Sequence, residues 1–83
     1  MSKIIVYSKQ VCPYCVRAKA LLKRKGAKFE EIMVVDEKTR DEMLEKSNGM
    51  MTVPQIFIGD YHVGGYTELE KLNSQGKLDE LLK

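Results

Sequence analysis

Two cysteines, Cys12 and Cys15, are the residues of this chain whose type and spacing could do chemistry. They are the only cysteines among 83 residues, and Pro13 and Tyr14 separate them in the stretch VYSKQVCPYC. A pair with this spacing can be half of a metal site, a structural disulfide or a working redox couple. Each of these three functions makes a different demand on the surrounding residues.

The metal site and the structural disulfide both find weak support. A structural zinc site needs about four Cys or His ligands, and His62 is the single further candidate. We expect His62, which falls in a short predicted strand, to be structural. A disulfide that closes so short a loop removes little chain entropy and would stabilise the fold poorly. The redox function is therefore favoured.

The residues around Cys12 favour a reactive thiolate. Pro13 suits the first position of a helix, which predicts that Cys12 is the N-cap. At that position, free backbone N–H groups and the positive end of the helix dipole favour a negative charge. Lys9 and Arg17 add positive charge nearby. Such surroundings lower the pKa of a cysteine below its usual value of ~8.5.

Cys15 is predicted to be the buried partner of the pair. In a helix that continues from Pro13, Cys15 falls on the same apolar face as Ala18 and Leu22. A thiol buried among apolar side chains is less reactive than one at a helix N-terminus. We therefore expect Cys12 to attack a disulfide and Cys15 to resolve the mixed disulfide that results.

The elements that must position the cysteines are predicted in the order βαβαββα. Gly59-Asp60 separates two apolar runs and predicts a hairpin, and Asn48-Gly49 is typical of the end of a helix. This order implies an α/β fold with one mixed sheet and helices on its faces. Strands are predicted at residues 3–7, 28–35, 55–58 and 61–63, and helices at 13–25, 37–46, 67–73 and 77–82.

Size and charge exclude several classes of function. With 83 residues and 43% hydrophobic residues, the chain is expected to form one domain over residues 1–83. The early apolar run at residues 4–7 is too short for a signal peptide or a membrane span. A cytoplasmic location without a membrane partner is therefore expected. The net charge of +2 gives no support for nucleic acid as a partner.

Further motifs make the chain resemble a known family over nearly its whole length. CPYC after a strand, TVPQIFI at residues 52–58 and GGY at residues 64–66 together resemble a dithiol glutaredoxin of the small bacterial type. The resemblance implies a thioredoxin-like fold, a four-stranded mixed sheet flanked by about three helices. It also implies an enzyme, acting as a monomer, that takes electrons from glutathione to reduce protein disulfides and glutathionylated proteins. No metal or bound organic cofactor is expected.

The resemblance also implies a glutathione site. Lys9 and Arg40 match positions that bind the glycine carboxylate of glutathione, and the exposed ring of Tyr14 is suited to cover the substrate sulfur. Pro54 matches a cis proline that turns the Val53 backbone outward to pair with a substrate peptide. The expected glutathione-binding residues are Lys9, Tyr14, Arg40, Thr52, Val53, Pro54, Gly65, Tyr66 and Thr67.

Thr67 is expected both to cap a helix and to contact a ligand. The pattern Thr67-Glu68-Leu69-Glu70 is typical of a capping box, which predicts Thr67 as the N-cap and Glu70 as its reciprocal partner. A helix N-terminus also attracts anions, here the γ-glutamyl carboxylate of glutathione. The family more often has Asp at this position, with Cys or Ser before it. Tyr66-Thr67 departs from that pattern, and a weaker contact with glutathione is expected.

Two alternative functions remain open at this point. One is a glutaredoxin-like reductase that receives electrons from a thioredoxin reductase. Lys9, Arg40 and Thr67 argue against it, since they match glutathione contacts. The other is an iron–sulfur carrier, in which Cys12 of two chains and two glutathione molecules hold a [2Fe–2S] cluster. Pro13 and the dithiol pattern argue against that carrier.

Overall fold

The structure, a computed structural model, describes residues 3–82. Within this range the chain forms four strands and four helices, and their order confirms the predicted βαβαββα arrangement, with the closing helical region divided in two. The strands are β1 (Ile4–Ser8), β2 (Glu30–Met33), β3 (Gln55–Ile58) and β4 (Tyr61–Gly64), and the helices are α1 (Pro13–Arg24), α2 (Glu37–Lys46), α3 (Tyr66–Ser74) and α4 (Lys77–Leu82).

The strands form one mixed sheet in the order β2-β1-β3-β4. β1 is parallel to β2 and antiparallel to β3, and β3 is antiparallel to β4. Ile58 pairs with Tyr61 across the turn at Gly59-Asp60, which confirms the predicted hairpin. The parallel pair places the chain after β1, where the cysteines lie, at the end of the sheet where β2 also ends.

Helices cover both faces of the sheet. One apolar core joins β1 and β3 to α1, α3 and α4, with Leu22, Leu69 and Leu78 fully buried. The second core lies on the opposite face, where Met43 of α2 packs with Tyr7 of β1. Because both faces are covered, β1 is nearly continuously apolar, as its sequence IIVYS indicates.

The bounds of β1, α1, β4 and α3 differ from the sequence prediction by one residue, and those of β2 differ by two residues at each end. β2 has four residues rather than the run predicted at residues 28–35. It is an edge strand, and its pairing ends where β1 ends at Ser8, with a last hydrogen bond from the Val34 N–H to the Ser8 carbonyl. α1 ends at Arg24, because Gly26 adopts a left-handed backbone conformation (φ +72°) that closes the helix.

Among residues 3–82, no helix is both long and apolar enough to cross a membrane.

Candidate active site

Cys12 and Cys15 lie at the start of α1 and are joined by a disulfide. Cys12 is the N-cap of the helix and Pro13 follows it, as the sequence predicts. The backbone N–H of Cys15 donates a hydrogen bond to Cys12 Sγ at 3.1 Å. The sulfur therefore takes the place of the oxygen of an ordinary capping residue, at the positive end of the helix dipole.

The two sulfurs differ in their access to solvent. Cys15 is 1% exposed and lies on the buried face of α1 with Ala18 and Leu22, whereas Cys12 is half-buried. This confirms the predicted burial of Cys15. An incoming sulfur can reach Cys12 first, and Cys15 is placed to react only with a group already attached to Cys12.

The residue before Cys12 has an unusual backbone. Val11 has φ +52° and is 99% exposed. A β-branched side chain in this left-handed region is sterically strained, and strain of this kind is often found at functional sites. Here the backbone turn directs the loop between β1 and α1 so that Cys12 begins the helix. The Val11 side chain projects into solvent beside the disulfide.

A loop with a cis peptide bond faces Cys12. The Val53–Pro54 bond is cis, and the Val53 carbonyl oxygen lies 4.0 Å from Cys12 Sγ. A Cβ atom added at Gly65 would lie 3.5 Å from the Pro54 carbonyl oxygen. This is an ordinary van der Waals distance, so the start of α3 lies beside this loop at Gly65.

The start of α3 corrects the sequence prediction. The N-cap is Gly65, not Thr67, and the carboxylate of Glu68 accepts a hydrogen bond from the Gly65 N–H at 3.0 Å. The prediction that Thr67 is the cap, with Glu70 as its partner, is wrong. Glu68 lies three residues after Gly65, so it supplies the return hydrogen bond of a capping box two residues earlier than expected. Thr67 lies exposed in the first turn of the helix.

Tyr14, Tyr66 and Thr67 line one groove between the first turns of α1 and α3. The Tyr14 and Tyr66 rings are stacked with centroids 6.0 Å apart, and Arg17 lies 5.6 Å from the Tyr14 ring centroid. Hydrogen bonding to the Glu70 carboxylate raises the pKa of Tyr66. The aromatic pair thus forms one wall of the groove, next to the free N–H groups of the first turn of α3.

Lys9 and Arg40 line a second groove together with Asp36. Asp36 is the N-cap of α2, and the Thr39 N–H donates to its carboxylate at 2.8 Å, which holds the pKa of Asp36 below its ordinary value. Within residues 3–82, the ion pairs join Lys3 to Glu30, Lys19 to Glu31 and Lys25 to Asp79. Lys9 and Arg40 take part in none of these pairs.

A polar cluster beside the cysteines was missed by the sequence analysis. Glu31 Oε2 accepts hydrogen bonds from the buried Ser8 hydroxyl at 2.5 Å and from Lys19 Nζ at 2.6 Å. The hydrogen bond from Lys19, and then that from Ser8, lower the pKa of Glu31. Lys19 and Glu31 line a groove with both cysteines. No local signal predicts this cluster, because its members come from β1, α1 and β2.

The predicted site residues therefore fall into groups around Cys12. The cysteines and the Val53–Pro54 loop face each other directly, and Gly65 contacts that loop. Lys9 connects two groups, since it lines the groove of Arg40 and also the groove of the cysteines. Among residues 3–82, no three His, Cys, Asp or Glu side chains come together as a metal site would require.

Comparison with known proteins agrees with this arrangement. The sequence model of the family described as Glutaredoxin matches residues 4–63. The chain is 46% identical to Glutaredoxin 3 of Escherichia coli (strain K12) over 83 residues, all of both chains. The solution structure of glutaredoxin from Brucella melitensis is similar with a TM-score of 0.87 and 54% identity, covering all of this chain and 90% of that one. The crystal structure of a buckwheat glutaredoxin–glutathione complex is similar with a TM-score of 0.86 and 32% identity, covering 98% and 76%.

Proposed function

The chain belongs to the glutaredoxin family of thiol–disulfide oxidoreductases, and we propose that it uses glutathione to reduce protein disulfides and glutathionylated proteins. The observation that carries the proposal is the position of Cys12, half-buried at the N-cap of α1 and opposite the Val53 carbonyl. A thiolate there is stabilised by the helix and is accessible to a disulfide. Cys12 is the proposed nucleophile and Cys15 the resolving thiol.

A glutathionylated protein requires Cys12 alone. The Cys12 thiolate attacks the glutathione sulfur, a new Cys12–glutathione disulfide forms, and the protein sulfur leaves as a thiolate that takes up a proton. A glutathione thiolate then attacks the glutathione sulfur bound to Cys12. Oxidised glutathione leaves, and the Cys12 thiolate is regenerated.

A protein disulfide requires both cysteines. Cys12 attacks one sulfur of the substrate, forms a mixed disulfide and releases the other sulfur as a thiolate. Cys15 then attacks Cys12 Sγ, releases the second substrate thiol and leaves the Cys12–Cys15 disulfide, the bond present in the structure. Two glutathione molecules reduce that disulfide and leave as oxidised glutathione. Potentials of about −200 to −230 mV, typical of glutaredoxins, let cytosolic glutathione drive this step.

The proposed glutathione site extends from α2 across Cys12 to α3. Lys9 and Arg40, which share a groove, would bind the glycine carboxylate. The backbone at Thr52, Val53 and cis Pro54 would pair with the cysteinyl part as an added strand does. Tyr14, Gly65, Tyr66 and Thr67 would complete the site, with the γ-glutamyl carboxylate at the N-terminus of α3. We propose that the protein acts as a monomer in the cytoplasm, with glutathione as its reductant and no bound cofactor.

A coupled assay tests the proposal. The protein is mixed with glutathione, glutathione reductase, NADPH and a small glutathione mixed disulfide, and NADPH consumption is followed. We expect turnover that depends on the protein and is lost in Cys12→Ser. A parallel reaction with thioredoxin reductase in place of glutathione and its reductase should be inactive. Turnover in that second reaction alone would contradict the proposed electron donor.

A further inference from the structure

A chain of hydrogen bonds runs from β4 to the loop that faces Cys12. His62 Nε2 lies 2.7 Å from Gln55 Oε1. Gln55 Nε2 lies 2.9 Å from the Thr52 carbonyl oxygen and 3.1 Å from Thr52 Oγ1. The side chains of His62 and Gln55 therefore connect β4, through the first residue of β3, to the residue before Val53 and Pro54.

The orientation of each group in this series of hydrogen bonds follows from which atoms can donate and which can only accept. The Thr52 carbonyl can only accept, so the amide nitrogen of Gln55 must face it and the amide oxygen must face His62. His62 must then carry its proton on Nε2. Gln55 is fully buried, and a buried amide is costly to leave without partners. Three hydrogen bonds satisfy most of its capacity and fix its orientation.

The imidazole ring of His62 is itself held in place. It stacks on the Phe57 ring, with centroids 4.7 Å apart and an angle of 17° between the planes. Phe57 and His62 are paired across β3 and β4. Because the strand pairing and the stacking both fix the ring, His62 is a rigid donor at the outer end of the hydrogen-bond chain.

The loop at the other end is held by packing and by hydrogen bonds, since Val53 packs against the second core and Pro54 is buried. Between α2 and β3 the chain forms neither helix nor strand. Ser47 lies at its beginning, with its hydroxyl oxygen 2.6 Å from the Met43 carbonyl oxygen and 3.1 Å from that of Met50. Gln55 restrains its end at Thr52. The Gln55 hydrogen bonds therefore hold the backbone directly before the Val53 carbonyl that faces Cys12.

We propose that His62 and Gln55 are positioning residues, which hold the backbone of Thr52 and Val53 in the conformation that binds the disulfide substrate beside Cys12. The inference rests on the proposed function for its substrate, since the loop is the proposed partner of glutathione and of a substrate peptide. Neither side chain takes part in the chemical steps. Their loss should weaken substrate binding and leave the sulfur exchange at Cys12 nearly unchanged.

The tautomer of His62 tests the hydrogen-bond chain without any activity measurement. His62 is the only histidine, so ¹⁵N NMR of the imidazole gives one unambiguous pair of signals. In the neutral ring we expect the proton on Nε2 in the wild type. In Gln55→Met, which has no acceptor for it, we expect a mixture of tautomers. A proton on Nδ1 in the wild type would overturn the proposal.

Two variants of His62 separate the hydrogen bond from the packing of the ring. His62→Phe keeps a ring that can stack on Phe57 but removes the N–H donor. His62→Gln loses the ring but places an amide donor as many bonds from Cβ as the imidazole Nε2. We expect His62→Phe to raise KM for a glutathionylated peptide about fivefold, the factor that one lost hydrogen bond gives, with kcat changed less than about twofold. His62→Gln should restore KM to near the wild-type value.

A merely structural role predicts the opposite order. In that case KM would follow thermal stability, and His62→Gln, which loses the stacking, would be the more impaired variant; this result would overturn the proposal. Reduction of the Cys12–Cys15 disulfide by dithiothreitol is a control that needs no glutathione site, and its rate should be the same in both variants. If the wild type shows the Nε2 tautomer but no turnover with glutathione, the proposed function fails while the hydrogen-bond chain stands.

Discussion

The Cys15 backbone N–H donates a hydrogen bond to Cys12 Sγ at 3.1 Å, so the resolving residue holds the proposed nucleophile through its main chain. This contact does not depend on the Cys15 side chain. When the disulfide is reduced, the same N–H can stabilise a thiolate at Cys12, together with the dipole of α1. The Cys15 thiol, 1% exposed, is favoured in its neutral form by burial. The position of each cysteine therefore favours the thiolate at Cys12 and the neutral thiol at Cys15.

Substitution of each cysteine should separate the two proposed reactions. Cys12→Ser removes the attacking thiolate and should abolish reduction of both substrate types. Cys15→Ser keeps the main-chain hydrogen bond to Cys12. It should therefore retain reduction of a glutathione mixed disulfide and lose most reduction of protein disulfides. The coupled glutathione assay with each substrate measures this. An equal loss in both reactions for Cys15→Ser would show that the roles are wrongly assigned.

The rate of Cys12 alkylation should reveal a thiolate at neutral pH. In Cys15→Ser, where Cys12 is the single thiol, we expect the midpoint of the rate against pH to lie below 7, compared with ~8.5 for a free cysteine. The N-cap position and the exposed charge of Lys9 both act in this direction. Lys9→Gln should move the midpoint upward by a small amount, because an exposed charge is screened by solvent. If the Cys15→Ser protein with Lys9 unchanged has a midpoint near that of free cysteine, the proposed electrostatic stabilisation of the Cys12 thiolate is wrong.

Local patterns predicted the elements well because each had a nearby signal. Pro13 marked the start of α1, Asn48-Gly49 the end of α2 and Gly59-Asp60 the hairpin. The N-cap of α3 was predicted two residues late, because Thr67 and Glu70 fit the spacing of a capping box as well as Gly65 and Glu68 do. A glycine has no side chain to indicate an N-cap. The proximity of Gly65 to the Pro54 carbonyl depends on the folded structure and cannot be inferred from the local sequence.

Contacts between distant residues account for what the sequence did not predict. The hydrogen bond between Ser8 and Glu31, and that between Gln55 and His62, depend on strand register and on which faces the helices cover. A single sequence does not indicate which distant residues form hydrogen bonds with buried polar side chains such as Ser8 and Gln55. The motifs CPYC, TVPQIFI and GGY together, in contrast, indicated the family and its fold from the sequence alone.

Replacing Val11 should stabilise the protein. Its side chain is 99% exposed, so its removal gives up almost no buried surface, while its φ of +52° costs a β-branched residue about 1–2 kcal/mol. Asn tolerates this conformation better. We expect Val11→Asn to raise the free energy of unfolding by roughly 1 kcal/mol, measured by urea denaturation. Val16→Asn is the matched control, because Val16 is also exposed but lies within α1, and it should not stabilise. A loss of stability in Val11→Asn would show that the strain is absent.

Glu31 should contribute to stability in a pH-dependent manner. Hydrogen bonds from Lys19 and Ser8 hold its pKa below the ordinary value of 4.5. A lowered pKa in the folded state means that the contribution is fully present above pH 4.5 and is lost as the pH falls through the folded-state pKa. We therefore expect Glu31→Gln to be less stable than the wild type at pH 7, with the difference shrinking below pH 4.5. Thermal unfolding across this pH range measures it.

Glu30→Gln provides the control for that comparison. Glu30 pairs with Lys3 at 3.1 Å, but both side chains are largely exposed, and exposed pairs contribute little. Its substitution should change stability less than that of Glu31 at pH 7. If Glu30→Gln and Glu31→Gln change stability equally, the Ser8–Glu31–Lys19 cluster contributes no more to stability than an exposed ion pair.

The position of Thr67 changes what its substitution should do. As an N-cap it would cost about 1 kcal/mol of stability when replaced by Ala. Since Gly65 is the cap and Thr67 lies exposed in the first turn, Thr67→Ala should leave the free energy of unfolding nearly unchanged. Glu68→Ala, which removes the acceptor for the Gly65 N–H, should be the destabilising substitution of the pair. Urea denaturation of both variants measures the difference.

Glutathione kinetics should respond to Thr67 even though stability does not. An Asp at this position can meet the ammonium group next to the γ-glutamyl carboxylate, a charge-assisted contact of ~1.5–3 kcal/mol when well formed. Because the site is exposed, the gain should lie at or below the lower end, so Thr67→Asp should lower the apparent KM for glutathione by up to about tenfold. Thr67→Val, which keeps the shape and removes the hydroxyl, should raise KM, and Thr67→Ser should not. If none of the three changes KM, the γ-glutamyl group does not bind at the N-terminus of α3.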